Sequence, residues 1–175
     1  MLPATLLEDW THVPDASWWA MYTLARREKE LMRRLRSLEI PFYCPLLPRR
    51  TRSPGGRTRT SYVPLFPSYV FLFGTDAQRQ LALTSNCIAR CILVPEGAQL
   101  TGDLQQIRAL IASDAPLTPE ARIEAGRKVR VKSGRMAGIE GVVVKRRGRD
   151  WLLVSVEFLQ CGASVLLEDF QVEAI

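Results

Sequence analysis

The sequence predicts an α+β protein in two parts, a mixed helix-and-strand part followed by a small β-barrel. Three observations carry this. The stretch Tyr-Val-Pro-Leu-Phe-Pro-Ser-Tyr-Val-Phe-Leu-Phe at 62–73 ends in six residues, Ser68 to Phe73, whose aromatic and branched side chains suit a pleated sheet. Leu31, Leu35 and Leu38 are spaced by four and three, which gathers them into one helical stripe. After Gly126 the period falls to two, and five short strand-like runs follow with glycine-containing turns between them. Closing such strands into a barrel removes exposed edges.

Alternation along 68–73 puts Tyr69, Phe71 and Phe73 on one face and Ser68, Val70 and Leu72 on the other. Both faces are largely apolar. Either the strand is central and covered on both sides, or one face receives a partner. Pro64 and Pro67 bracket Leu65-Phe66, so the entry is stiff and Phe66 is held in a fixed place.

Before this strand, Trp18 to Thr23 reads as a strand and Arg27 to Leu38 as a helix ended by Pro41. Phe42 to Leu47 reads as an edge strand, because Pro41, Pro45 and Pro48 interrupt its ends. Arg49, Arg50, Arg52, Arg57 and Arg59 then surround Pro54-Gly55-Gly56 with no acid among them, the pattern of a hairpin with a cationic tip. Beyond the strand, Asp76 is expected to cap a helix over Ala77 to Leu83. A strand follows at Ile88 to Val94. The next helix starts at Thr101 or Asp103 and carries a stripe of Leu104, Ile107, Leu110 and Ile111. The proline-containing segment around 113–122 reads as a linker with one helical turn opened by Thr118-Pro119. The last strands are expected at Lys128 to Lys132, Gly141 to Lys145, Trp151 to Phe158, Ser164 to Leu167 and Phe170 to Val172. Gly134, Gly138 and Gly141 mark turns or close backbone approach. No helix follows them, so they are no phosphate cradle.

The net charge of +6 favours a polyanionic neighbour such as nucleic acid. The four cysteines form no Cys-x-x-Cys pair and His12 is the only histidine, so zinc spacings are missing and neither metal nor cofactor is expected. The same scarcity leaves no Ser-His-acid or Cys-His arrangement, so no enzyme activity is expected. Glu28 and Glu168-Asp169 read as surface charges. The acidic start is unlike a secretory signal, and no apolar run approaches membrane-spanning length. A cytoplasmic location without membrane contact is expected.

Trp18-Trp19-Ala-Met-Tyr22-Thr, Arg26-Arg27-Glu28-Lys29 and Pro64-Leu65-Phe66-Pro67-Ser68-Tyr69-Val70-Phe71 together resemble the N-terminal domain of NusG/RfaH-type transcription elongation factors. Gly126-Arg-Lys-Val129-Arg-Val131-Lys-Ser-Gly134-Arg-Met-Ala-Gly138-Ile-Glu-Gly141-Val resembles the KOW motif that follows it there. The resemblance covers nearly all of 17–175. It implies an N-terminal extension at 1–16, an α/β sandwich with a mainly antiparallel sheet at 17–112, a linker at 113–124, and a small SH3-like β-barrel at 125–175.

The resemblance also implies a function, that of a monomeric antitermination or elongation factor that docks an apolar sheet face on the clamp of RNA polymerase. Tyr22, Phe66 and Val70 match the clamp-contacting positions. Arg26 and Lys29 fall where phosphates of upstream DNA pass, and the hairpin arginines Arg49, Arg50, Arg52, Arg57 and Arg59 near nucleic acid. Met136, Ile139, Phe158 and Leu159 fall where the KOW barrel meets a ribosomal small-subunit protein or a termination factor. Many relatives carry Gly-Arg after that last apolar pair, and Gln160-Cys161 stands here instead. The alternative is a ribosome- or RNA-associated protein whose KOW barrel binds ribosomal RNA.

Overall fold

The computed structural model describes residues 7, 14–122, 124–167 and 172–175. The chain is mixed α/β with antiparallel sheets and divides into two compact units, Met1–Gly97 and Ala98–Ile175. Most of the expected N-terminal extension lies outside the described residues, though Leu7 is buried. No described helix is long and apolar enough to cross a membrane.

The first unit runs β1 (Ser17–Thr23), α1 (Glu28–Ser37), β2 (Phe42–Tyr43), β3 (Leu46–Arg52), β4 (Thr58–Pro64), β5 (Tyr69–Gly74), α2 (Asp76–Leu83) and β6 (Ile88–Leu93). Its main sheet has the order β2-β5-β1-β6, all antiparallel. The central β5 buries Val70, Phe71, Leu72 and Phe73, so it is the covered strand its two apolar faces anticipated. Met21, Val70 and Leu72 pack with Leu31 and Leu35 of α1 and Ala82 of α2, which puts both helices on one face of the sheet. Burying these side chains is what makes the short α1 worth forming, since helices of this length are marginal alone.

Two local expectations are corrected. The strand expected over Phe42 to Leu47 is two strands, β2 in the main sheet and β3 in a separate ribbon with β4. Pro45 has no N–H to give a ladder, and the chain changes sheets there while the Pro45 carbonyl accepts the Leu65 N–H at 2.8 Å. The cap of α2 is Thr75 rather than Asp76. Thr75 Oγ1 accepts the Gln78 N–H at 3.4 Å and Gln78 Oε1 accepts the Thr75 N–H at 3.0 Å, a reciprocal capping box that Asp76 cannot make because Arg79, three residues on, has no side-chain acceptor. Asp76 instead opens the helix and pairs with Arg79 at 2.7 Å.

The second unit comprises nearly all of α3 (Gly97–Ala112) and then β7 (Leu117–Glu120), β8 (Arg127–Val131), β9 (Glu140–Arg146), β10 (Arg149–Val156), β11 (Cys161–Leu166) and β12 (Val172–Ala174). Helix α3 begins at Gly97, ahead of the expected Thr101 or Asp103. Thr101 is buried within it, and Asp103 spends its carboxylate on the Glu157 N–H at 2.8 Å. The stripe of Leu104, Ile107 and Leu110 is buried as expected.

The turn of helix expected at Thr118-Pro119 is the strand β7, paired with β11. Proline is admissible because β7 is the outermost strand. The sheet order is β12-β8-β9-β10-β11-β7, and among the described residues no ladder joins its two ends. Among the described residues the expected closed barrel is not seen; they form an open six-stranded antiparallel sheet, with β7 occupying the outer edge of β11. Four of the five expected strands match within two or three residues. The last is found at Val172–Ala174, and Phe170 lies outside the described residues. Gly134 and Gly138 both take φ of 83°, a turn conformation that favours glycine. A side chain on Gly141 would put its Cβ 2.5 Å from the Leu153 carbonyl oxygen.

Candidate functional site

The two strands that carry the expected contact residues are neighbours, and their register decides which side chains meet. Tyr22 is opposite Tyr69, Ala20 opposite Phe71, and Trp18 opposite Phe73. Directly opposed residues share a face, so these six form a continuous row on the side of the sheet away from α1 and α2. Its rings touch in pairs: Tyr22 and Tyr69 at 5.2 Å edge to face, Trp18 and Phe73 at 5.2 Å, and Phe66 and Phe71 at 6.5 Å edge to face. Exposure is graded along the row. Trp18, Ala20, Phe71 and Phe73 are buried, Tyr69 is half-buried, and Tyr22 is 38% exposed. Ile92, opposite Ala20 on β6, is also exposed.

Phe66 is 3% exposed, so it supports this row from within and presents little of its own surface. Val70 is the residue that the structure does not bring to the group. It is opposite Met21, wholly buried, and points to the helix-covered face. The reason is the strict alternation of β5: a face shared with Tyr22 and Tyr69 excludes Val70. Tyr69 takes its place, on the face that alternation gives it with Phe71 and Phe73.

The approach to the row is fixed by a turn at Phe66–Tyr69. Tyr69 N–H donates to the Phe66 carbonyl at 3.2 Å and Thr23 N–H to the Ser68 carbonyl at 2.7 Å. Ser68 sits at φ 66°, a conformation costly for a residue with a Cβ. Its N–H is held by Glu28 Oε1 at 2.8 Å. Glu28 is thus no free surface charge, and with the partners forty positions apart no local pattern announces the bond.

Arg26 and Lys29 are exposed at the β1–α1 junction. Arg26 takes φ 61° in a turn closed by Arg27 N–H donating to the Leu24 carbonyl at 3.0 Å. Arg27, by contrast, is paired with Glu30. Neither Arg26 nor Lys29 has an acidic partner among the described residues.

The five hairpin arginines lie on the β3–β4 ribbon or its turn, and every residue from 48 to 60 is exposed. Ser53 N–H donates to the Arg57 carbonyl and Gly56 N–H to the Ser53 carbonyl, each at 2.9 Å, with Gly56 at φ 79°. The cations therefore stand on a formed turn, as Pro54-Gly55-Gly56 anticipated. Among the described residues none of the five forms an ion pair, so their charge is uncompensated and available to an anion.

In the second unit the four expected partner contacts separate into two kinds. Met136 and Ile139 are buried at 1% and 3% exposure. The loop after β8 folds back through Val131, whose N–H donates to the Ile139 carbonyl at 2.9 Å and whose carbonyl accepts the Gly138 N–H at 2.8 Å, and this turns both side chains inward. They are core here. Phe158 and Leu159 are half-buried on a single 3-10 turn, Glu157–Leu159. Gln160 follows at φ 53° and its amide donates to the Glu157 carbonyl at 2.8 Å. Gln160 thus takes a left-handed conformation that favours glycine and adds a hydrogen bond to hold it.

No match to the chain is found among curated proteins. Residues 16–99, from the start of β1 into the first turn of α3, match the family described as transcription termination factor nusG, so this part of the chain is similar to a NusG-type N-terminal domain.

Proposed function

We propose that the protein is a transcription elongation or antitermination factor that binds the RNA polymerase clamp, favours processive elongation and catalyses no reaction itself. The observation that carries this is the aromatic row of β1 and β5, open to solvent at Tyr22, inside the segment similar to the NusG family. An exposed tyrosine backed by buried aromatics is the form a binding hot spot takes, a rigid ring on a packed base. Tyr22 is the contact, with Tyr69 beside it and Phe66 bracing the pair. Val70 acts only through the packing beneath.

Arg26, Lys29 and the hairpin arginines contact the phosphate backbone of nucleic acid in the elongation complex, adding affinity without sequence preference. The second unit is a KOW domain whose half-buried Phe158 and Leu159 meet a further protein, a ribosomal small-subunit protein or a termination factor. The factor works as a cytoplasmic monomer without a cofactor.

In vitro transcription with purified polymerase tests the proposal. Added protein shortens pauses or raises terminator read-through on several templates, and Tyr22→Ala removes the effect. No change in either quantity, with salt-resistant association with ribosomal subunits in place of polymerase, would establish the ribosome-associated alternative.

A further inference from the structure

The two faces of the β3–β4 ribbon are equipped differently. Register places Arg49, Thr51, Arg59 and Ser61 on one face, and Arg50, Arg52, Thr58, Thr60 and Tyr62 on the other. On the first face the hydroxyls serve the ribbon itself: Thr51 Oγ1 donates to the Arg59 carbonyl at 3.4 Å and Ser61 Oγ to the Arg49 carbonyl at 3.3 Å. On the second, Thr58, Thr60 and Tyr62 make no side-chain hydrogen bond to any described residue. Tyr62 is 56% exposed, more than any other large apolar side chain described.

An aromatic ring left open in a field of unpaired cations has a natural ligand. Surfaces for single-stranded nucleic acid combine these two elements, a cationic track for phosphates and a ring on which a base stacks. A duplex offers the cations its phosphates but keeps its base faces stacked on one another, so it has no use for the ring. Pro48 lies across from Tyr62, then Arg50 across from Thr60, then Arg52 across from Thr58. These are steps of roughly 7 Å along the ribbon, a distance that one nucleotide of an extended strand can bridge.

We infer that this face of the ribbon is a single-strand nucleic-acid site. The Tyr62 ring stacks on an unpaired base, Arg50 and Arg52 hold the phosphates of adjoining nucleotides, and the Thr58 and Thr60 hydroxyls bond to sugar or phosphate oxygens. The site deepens the phosphate-contact role proposed above for the hairpin and rests on it. It adds to that role, on this face, a preference for strand whose bases are unpaired.

Fluorescence anisotropy with the full chain tests it, using one short labelled mixed-sequence DNA either alone or annealed to its complement. Tyr62→Ala and Tyr62→Leu weaken binding to the single strand by about 5- to 100-fold, the span of one missing base stack. Both leave duplex binding within about twofold, and Tyr62→Trp restores the single-strand affinity. Arg50→Ser with Arg52→Ser weakens both forms. Equal losses on single strand and duplex for Tyr62→Ala overturn the stacking site, as does an unchanged single-strand affinity in a background where the double arginine variant still fails. If the double arginine variant binds both forms normally, the phosphate-contact role itself falls and the site falls with it.

Discussion

The carboxylate of Glu28 accepts the backbone N–H of Ser68 at 2.8 Å and ties the first turn of α1 to the residue that leads into β5. Ser68 is in the left-handed region, so the bond holds a turn that the chain would otherwise relax. Glu28→Ala is expected to destabilise the first unit by about 1–3 kcal/mol, the cost of leaving a half-buried N–H without its charged acceptor. Ser68→Gly relieves the backbone and should recover up to about 1 kcal/mol in the Glu28→Ala background. Urea unfolding of the two variants and their combination checks both values.

Tyr22 and Phe66 should separate binding from stability. Phe66→Ala empties a buried ring position against Phe71 and is expected to cost about 3–5 kcal/mol of stability. Tyr22→Ala should cost only about 0.5–1.5 kcal/mol, the edge-to-face pair with Tyr69, yet weaken polymerase binding by ~2 kcal/mol or more. Thermal unfolding together with a polymerase titration reads the two effects apart, and a Tyr22→Ala protein that binds normally moves the contact elsewhere.

The hairpin cations should announce themselves in salt. Replacing Arg52, Arg57 and Arg59 by Ser is expected to weaken binding to a complete elongation complex. The dependence of log affinity on log salt should flatten by ~0.7–0.9 for each phosphate that the variant no longer neutralises. Affinity for polymerase without nucleic acid should hardly change. A loss of equal size there identifies the hairpin as a protein-binding element.

Acid should loosen the second unit through Glu120. Burial pushes its carboxyl up, but the Arg146 guanidinium at 2.6 Å and the Ser164 hydroxyl outweigh this and leave it below the ordinary value of 4.5. A carboxylate depressed in the folded state stabilises fully above its unfolded pKa, and the contribution is lost as pH falls through the folded value. Melting temperature measured from pH 6 down to pH 3 should therefore drop more steeply in the native chain than in Glu120→Gln. Superimposable profiles would show that the pair is inert.

Gln160 offers a test of opposite sign. Relieving its left-handed backbone with Gln160→Gly gains about 1–2 kcal/mol, against roughly 0.5–1.5 kcal/mol for the exposed amide, which donates to both the carbonyl and the carboxylate of Glu157. The expected net is a small rise in the melting temperature of the full chain. A clear fall would show that the amide dominates.

Local periodicity was enough to find β1, α1, β5, β6 and most strands of the second unit, because each is written in side chains a few positions apart. The membership of the candidate site was not, and Val70 shows why. Alternation assigns sides within β1 and within β5, but whether Tyr22 faces Tyr69 or Val70 depends on register. A slip of one residue would have reversed the answer. Glu28 was hidden for a related reason, since its partner is distant in sequence and is a backbone group with no residue type to recognise. At Thr118-Pro119 the proline argued against a strand, and only the free outer edge of β11 makes one admissible there. The capping of α2 was misplaced by one residue because Thr75 and Asp76 are both good caps, and Gln78 decides between them.

The β3–β4 ribbon is a sheet of two strands with solvent on both sides from 48 to 60. Nothing in the core leans on its side chains, so their identities carry almost no folding constraint. The ribbon can therefore be recoded or resized without a compensating change in the core.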